Sequence, residues 1–167
     1  KDGKFSVTGS IAHPQNAFFG LYNPNGDFVY KQEFIVEPGR LKIDLDKNTE
    51  DIDVTGGKYN PMFITINKDP EYLKNLKSFN DYAASLKRED YKNEAVMKKY
   101  TQLRNAAYDL LFDKYDNIRF HSPDPYARLL AIYHSNRSIK YDEQLNDLEK
   151  ELGPLPEIVY LRYSLKA

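Results

Sequence analysis

The sequence contains no cysteine and no tryptophan, and it has no apolar run long enough to cross a membrane. Without cysteine, these 167 residues form no disulfide bond or thiolate metal site and carry out no thiol redox chemistry. The lack of cysteine does not indicate the cellular compartment, because a chain of this length can bury a stable core without disulfide bonds. No signal peptide is present, which fits either a cytosolic chain or an exported chain whose targeting segment has been removed.

An excess of charge of one sign is also missing. The 24 basic and 25 acidic residues give a net charge of -1, and the two signs are interspersed. Lys87 and Arg88, for example, stand next to Glu89 and Asp90. A surface that binds nucleic acid needs a local excess of Lys and Arg. The charge pattern therefore predicts solvated helix faces and argues against a nucleic-acid partner.

Strand signals fill the first third of the chain. Apolar side chains recur at strand spacing, with turn residues between them, in segments 5–10, 17–22, 28–36, 40–46 and 52–54. The first segment follows an Asp2-Gly3 turn signal that has no strand before it. The sequence thus predicts a sheet that lacks its upstream strands and leaves an open edge.

The most clearly patterned stretch is 34–46. Two apolar runs flank a turn in which Pro38 fixes φ and Gly39 is free to adopt a positive φ. The second run alternates apolar and charged residues, with Leu41, Ile43 and Leu45 as its apolar positions. This pattern predicts a hairpin between the two runs, with one buried face.

Helical signals begin at Asn60, a cap residue followed by Pro61, and continue to the end of the chain. Residues 60–67 have strand propensity but are predicted to be helical because of this start signal. A long helix is predicted from about 90 to 115, followed by a break at 117–124. Asp69-Pro70 and Asp124-Pro125 are further helix start signals, and Gly153-Pro154 is a stop signal. The fold class is therefore α+β: an incomplete antiparallel β-sandwich or sheet in residues 1–58, then an all-helical region of about five helices in residues 59–167.

An acidic run invites a calcium interpretation. Asp44, Asp46 and Asn48 imitate the first ligands of an EF-hand loop. The imitation stops at Thr49, where the loop needs glycine, and at Thr55, where it needs a bidentate glutamate. We therefore predict outward-facing acids, no metal site and no cofactor.

Catalytic residues are not predicted either. His13, His121 and His134 lack partners at metal-ligand spacing, and Ser122 has only its sequence neighbour His121 nearby. Asn136-Arg137-Ser138 matches a glycosylation acceptor, a pattern that is common by chance. The sequence predicts that this chain is not an enzyme, with a hydrolase built from scattered residues as the weakest alternative.

Aromatic side chains provide the candidate partner or ligand surface. The chain has 14 Tyr and 9 Phe. Five of them cluster along two neighbouring predicted strands: Phe18, Phe19, Tyr22, Phe28 and Tyr30. The competing interpretation, which general burial statistics favour, places these rings in the core between sheet and helices.

Several motifs in this order resemble a known family. They are turn, strand and helix-start patterns: Asp2-Gly3-Lys4-Phe5-Ser6-Val7-Thr8-Gly9, Phe34-Ile35-Val36-Glu37-Pro38-Gly39, Leu41-Lys42-Ile43-Asp44, Gly56-Gly57, Asn60, Ser122-Pro123-Asp124-Pro125 and 153–164. Together they resemble a domain of unknown function, with its helical connector, that lies N-terminal to thioredoxin-like domains in thiol:disulfide interchange lipoproteins of Gram-negative bacteria. In that family strands precede the first motif, and a Cys-x-x-Cys site lies in the following domain. Both are absent from these residues.

The resemblance implies a non-catalytic accessory or interaction module in the periplasm or cell envelope, lipid-anchored through the full-length parent. Its expected partners are a covalently linked redox domain or another protein, or a second copy or separate N-terminal fragment at the open sheet edge. The alternative is a stand-alone envelope module that binds a peptide or glycan on the aromatic sheet face.

Overall fold

The computed structural model describes residues 6–45, 52–135 and 141–164. These residues form four strands, six α-helices and one 3-10 helix. The chain divides into two compact units, Lys1–Met62 and Phe63–Ala167. The fold is α+β with a helical C-terminal region, as the sequence predicts.

The first unit contains two antiparallel strand pairs. Strands β1, Gln15–Tyr22, and β2, Phe28–Val36, pair with Ala17 opposite Phe34 and Gly20 opposite Lys31. Strands β3, Lys42–Leu45, and β4, Ile52–Thr55, pair with Ile43 opposite Val54. The buried side chains of this unit include Ile35, Val54 and Tyr59.

The predicted hairpin across 34–46 is wrong. β2 pairs with β1 and β3 pairs with β4, in separate two-stranded sheets. The alternation along 41–44 is nevertheless as predicted, with Leu41 and Ile43 half-buried and Lys42 and Asp44 exposed. Alternation fixes which face of a strand is buried, but it does not identify the neighbouring strand.

The predicted strand at 5–10 is also absent from the described residues. Residues 6–14 have no strand structure, and the side chain of Val7 is 85% exposed. A strand needs a hydrogen-bonded neighbour, and the described part of the chain provides none for this segment. The Asp2-Gly3 turn signal lies outside the described residues.

Helix α1, Asn60–Asn67, is helical as predicted despite its strand-like composition. The boundary between the two units lies within it, after Met62. Five further α-helices follow: α2, Pro70–Ser85; α3, Glu94–His121; α4, Pro125–Ser135; α5, Asp142–Leu152; and α6, Pro156–Ser164. The 3-10 helix, Asp90–Lys92, precedes α3. No helix in the described ranges is both long and apolar enough to span a bilayer.

Side chains cap three of these helices at the amino end. Asp69, Asn93 and Asp124 accept hydrogen bonds from the first backbone N–H groups of α2, α3 and α4 respectively. At the other end of α5, Gly153 adopts a positive φ of 81° and its N–H bonds the carbonyl of Glu149. The signals at Asp69, Asp124 and Gly153 are those predicted from the sequence, whereas the cap at Asn93 is not predicted.

The break predicted at 117–124 begins too early, because α3 continues to His121. Leu111, Tyr115 and Arg119 recur every four residues and are all buried, so packing extends the helix beyond the predicted end. One core cluster of the second unit lies between α4, α5 and α6. It consists of Leu129, Ile132, Tyr141, Leu145, Leu148, Ile158 and Leu161.

Candidate functional site

The candidate interaction surface lies on strand β1. Along this strand Phe18, Gly20 and Tyr22 are exposed, whereas Phe19 and Leu21 are half-buried. Since successive side chains point to opposite faces, the exposed residues share one face of the β1–β2 hairpin. The exposed fractions are 52% for Phe18 and 67% for Tyr22. We call Phe18 and Tyr22 the aromatic face.

The five aromatic residues predicted as a surface are therefore divided. Phe18 and Tyr22 lie on the exposed face of β1, and Phe19 lies on the opposite, half-buried face. Phe28 and Tyr30 lie in β2, in register with Tyr22 and Leu21 respectively. The side chains of Phe28 and Tyr30 lie outside the described part of the structure.

Polar groups surround the aromatic face. Glu33 is directly opposite Phe18 in the strand register and is exposed on the same side. Beyond Tyr22, the Asn23 side chain accepts hydrogen bonds from the backbone N–H groups of Asn25 at 3.0 Å and Asp27 at 2.8 Å. These bonds order the hairpin loop and thereby define the end of the face.

A buried polar cluster holds the end of β2. The carboxylate of Glu37, only 6% exposed, accepts hydrogen bonds from the backbone N–H groups of Lys58 at 2.7 Å and Tyr59 at 2.9 Å. The Asn60 amide nitrogen lies 3.5 Å from the same carboxylate. A carboxylate with no basic partner in this cluster is thus stabilised by N–H donors just before α1.

Asn60 completes this cluster, but not in the predicted role of helix cap. Its side-chain nitrogen donates to the carbonyl of Ile35 at 2.7 Å, and its oxygen accepts from the Ile35 N–H at 2.8 Å. This amide occupies the β2 edge at Ile35, where a neighbouring strand would otherwise bond. The backbone groups of Ile35 are therefore not available to the segment after Gly39. We call Ile35, Glu37, Tyr59 and Asn60 the Glu37 junction.

Two glycines, Gly56 and Gly57, pack closely against residues 37–40. Gly56 and Gly57 have positive φ values of 91° and 73°. A Cβ at Gly56 would collide with the carbonyl oxygen of Arg40, and a Cβ at Gly57 would collide with the carboxylate of Glu37. Only glycine satisfies both the backbone angle and the close approach.

The Glu37 junction is what sequence reasoning missed. Three of the motifs carrying the family resemblance, 34–39, Gly56-Gly57 and Asn60, meet there. Their spacing of about twenty residues gave no periodic signal that would have joined them. The signals in the sequence that could have indicated this junction are a glutamate just before Pro-Gly and an asparagine shortly after Gly-Gly.

The histidines occupy unrelated environments. His13 is half-buried beside Gln15, and His121 is exposed at the end of α3. His134 packs against Phe63 and Tyr115, with ring centroids 5.0 and 5.9 Å away. The hydroxyl of Ser122 accepts from the Asp124 N–H at 3.2 Å, so Ser122 takes part in the turn before α4.

The acidic run is described only in part. Asp44 and Asp53 face each other across β3 and β4, and Asp44 forms an exposed ion pair with Lys42 at 2.6 Å. Asp46, Asn48, Glu50 and Asp51 lie outside the described residues, as does the Asn136-Arg137-Ser138 pattern. Within the described ranges, no three His, Asp or Glu side chains converge as a metal site would require.

Three ionisable groups among the described residues have shifted pKa values. One is Lys150, whose pKa is raised by its hydrogen bond to Asp147 at 2.8 Å. A hydrogen bond from Lys114, at 2.7 Å, together with backbone N–H bonds at the start of α2, lowers the pKa of Asp69 below its usual value. Burial, assisted by the nearby Tyr108, raises the pKa of Tyr72. The shift of Asp69 has a structural cause, because its carboxylate caps α2 and forms an ion pair with Lys114 of α3.

Comparison with known proteins gives a similarity for the N-terminal part of the chain. Neither the curated proteins nor the solved structures include a match to this chain. A family model does match residues 1–63, which span the first unit and the Glu37 junction. This N-terminal part of the chain is therefore similar to the domain of unknown function DUF4369.

Proposed function

We propose that this chain is a non-catalytic interaction module of an envelope-anchored thiol:disulfide interchange protein, whose redox chemistry is carried out by a thioredoxin-like domain. The observation that carries the proposal is the exposure of Phe18 and Tyr22 on the same face of one strand, with Gly20 between them. Aromatic residues are enriched at the centres of protein–protein interfaces, where a few such anchors provide most of the binding energy. The aromatic face is the contact surface in this proposal.

The bonding of the family motifs supports a scaffold role for the first unit. The polar groups of Glu37 and Asn60 are directed to backbone groups of Ile35, Lys58 and Tyr59. Residues used in this way fix the positions of β2 and the start of α1. A rigid scaffold that presents a surface binds more tightly, because less ordering is needed on association.

The partner and compartment in this proposal follow from the resemblance. The partner is the thioredoxin-like domain of the same polypeptide, and the location is the periplasmic side of a lipid-anchored envelope protein. The β1–β2 sheet has only two strands in the described residues, and an edge strand can accept a further strand from a second copy or a separate N-terminal fragment.

A stand-alone module for a peptide or glycan is the second candidate function. The observation that favours it is the polar border of the same face, where Glu33 lies opposite Phe18. An aromatic ring next to a hydrogen-bonding group suits ligands that have both apolar and polar surfaces.

The test is to measure binding between this chain and the thioredoxin-like domain from the same gene by calorimetry. Phe18→Ser combined with Tyr22→Ser removes the aromatic face at exposed positions, so the fold should be retained. Val159→Ser is the matched control, since Val159 is 43% exposed in the helical unit. We expect the double variant to weaken binding by about tenfold or more, and the control to leave it unchanged.

Equal binding by the double variant and wild type would contradict the role of the aromatic face. If no such redox domain exists, or if it does not bind, the accessory function is wrong. Saturable shifts of the Phe18 and Tyr22 ring signals with an oligosaccharide or peptide would then support the second candidate.

A further inference from the structure

A cavity in the helical unit brings two arginines together. It has a volume of about 130 Å³ and lies between α3, α4 and α5. Its lining residues are Arg119, Phe120, Arg128, Ile132, Gln144, Asp147 and Leu148. A single water needs roughly 10–15 Å³ by the same measure, so the space is large enough for a small organic molecule.

Arg119 is held rigidly in the wall of this cavity. It is only 6% exposed, and its guanidinium lies over the rings of Phe120 and Tyr141, at 4.4 and 4.6 Å from their centroids. Its Nε donates to Gln144 at 2.6 Å and its Nη1 to Asp116 at 3.0 Å. Stacking and hydrogen bonds thus fix the orientation of a buried cation.

Arg128 lines the cavity from α4, and one of its N–H donors has no acceptor among the described residues. Its Nη2 bonds both carboxylate oxygens of Glu151, at 2.8 and 2.7 Å. Its Nε is buried and has no hydrogen-bond partner among the described residues. A buried donor of a charged group is unfavourable unless it has an acceptor, so this atom favours a ligand that brings an oxygen.

The other lining residues indicate which chemical groups a ligand of this cavity should have. Ile132 and Leu148 are each 1% exposed and provide an apolar wall. Asp147 is the acid in the lining, and its carboxylate pairs with Lys150 at 2.8 Å. A ligand with an oxyanion at the arginines and an apolar body fits this combination. A planar carboxylate matches the fork of guanidinium donors.

We infer that the cavity between α3, α4 and α5 binds a small carboxylate with a short apolar chain, held by Arg128 and Arg119. The carboxylate accepts from the arginine donors, and the apolar chain packs against Ile132 and Leu148. The carboxylate belongs either to a free short-chain acid or to the C-terminus of a peptide. The inference is independent of the interaction role proposed for the first unit.

The experiment is an NMR titration of the full chain with butyrate, followed through the arginine Nε–H signals. We expect saturable shifts at Arg128 and a Kd on the order of 1 mM, as suits a ligand of this size. Butylamine is the control of opposite charge. Inorganic phosphate tests the need for an apolar body, and a short peptide with a free or amidated C-terminus distinguishes the two carboxylate sources.

Arg128→Gln removes the cationic donor and should weaken butyrate binding by about tenfold or more. Arg162→Gln is the matched control. Arg162 also bonds a glutamate of α5 through Nη2, at 2.7 Å, but it does not line the cavity. Gln144→Glu is a second test, because it adds a negative charge beside Arg119 without changing the side-chain size, and it should also weaken binding.

Several results would overturn the inference. They are the absence of saturable shifts with butyrate, equal shifts with butylamine, tighter binding of phosphate than of butyrate, or unchanged affinity in both Arg128→Gln and Gln144→Glu. Preference for the free-terminus peptide over its amidated form would support the carboxylate site and identify the peptide as the source.

Discussion

The side-chain amide of Asn60 bonds both backbone groups of Ile35, donating to its carbonyl at 2.7 Å and accepting from its N–H at 2.8 Å. Twenty-five residues separate the two positions in sequence. Both residues are buried, with exposed fractions of 2%. The amide therefore replaces one position of a neighbouring strand, and it joins β2 to the start of α1.

We expect Asn60→Ala to destabilise the first unit by about 2–4 kcal/mol, because it leaves the buried N–H and carbonyl of Ile35 without partners. The measurement is amide hydrogen exchange at Ile35 and Tyr59, which reports the opening of this unit. Asn80→Ala, at an exposed position on α2, is the control and should change stability by less than about 0.5 kcal/mol. Unchanged exchange at Ile35 in Asn60→Ala would contradict the role of the amide.

Gly57→Ala should be more destabilising than Gly26→Ala. Both glycines have positive φ, 73° and 86° respectively, so alanine at either position costs about 1 kcal/mol of backbone strain. A methyl group at Gly57 would also collide with the Glu37 carboxylate, whereas nothing lies within 4 Å of one at Gly26. Urea unfolding of the two variants provides the comparison. Equal losses would show that the Glu37 carboxylate moves aside freely.

Lys114→Gln should raise the pKa of Asp69 towards its ordinary value of 3.8, because it removes the largest cause of the lowering. A carboxyl group with a lowered folded-state pKa stabilises the fold above its unfolded pKa. That stabilisation is lost as pH falls through the folded-state pKa. The free energy of unfolding of the variant should therefore fall less than that of the wild type as pH is lowered through the acid range.

The measurement is a carbon-13 NMR titration of the Asp69 carboxyl group. Lys77→Gln is the control, since Lys77 forms an exposed ion pair with Asp81 on the same helix at 2.7 Å. It should leave the pKa of Asp69 unchanged. An Asp69 pKa that stays low in Lys114→Gln would assign the shift to the backbone donors of α2 instead.

Asp124→Ala should destabilise the second unit by about 1 kcal/mol, whereas Asp124→Asn should be nearly neutral. The side-chain oxygen of Asp124 accepts from the N–H groups of Tyr126 at 2.9 Å and Ala127 at 3.3 Å. Asparagine keeps this acceptor and alanine removes it. Thermal unfolding followed by far-ultraviolet circular dichroism checks the order of the three proteins. If Asp124→Asn lowered the stability as much as Asp124→Ala, the negative charge of Asp124, rather than its capping hydrogen bonds, would be what stabilises α4.

The sequence predicts local structure well where a local signal decides it. Caps at Asp69 and Asp124, the Gly153 stop signal and the helical fate of 60–67 are all confirmed. The strand segments from residue 17 onwards are also confirmed in type. Each of these features is determined by residues that are close together in the sequence, so the sequence alone is enough to predict it.

Pairing and burial across long separations could not be predicted. Nothing local indicates that Asn60 takes the edge position at Ile35, or that β2 pairs with β1 in place of the hairpin predicted across 34–46. Similarly, α3 continues past its predicted end and includes Arg119, whose guanidinium lies 4.4 and 4.6 Å from the ring centroids of Phe120 and Tyr141. Helix propensity contains no information about such contacts. In the aromatic group, the alternation of β1 separates Phe19 from Phe18 and Tyr22 only once the buried side is known.

The proposed association with a redox domain is tested most directly by the intact mass and thiol count of the natural protein, isolated from the envelope fraction. We expect a polypeptide larger than the 19.5 kDa of these residues, with a cysteine pair that is alkylated only after reduction. A natural protein of about this mass without cysteine would contradict the accessory role and leave the peptide or glycan module as the function to test.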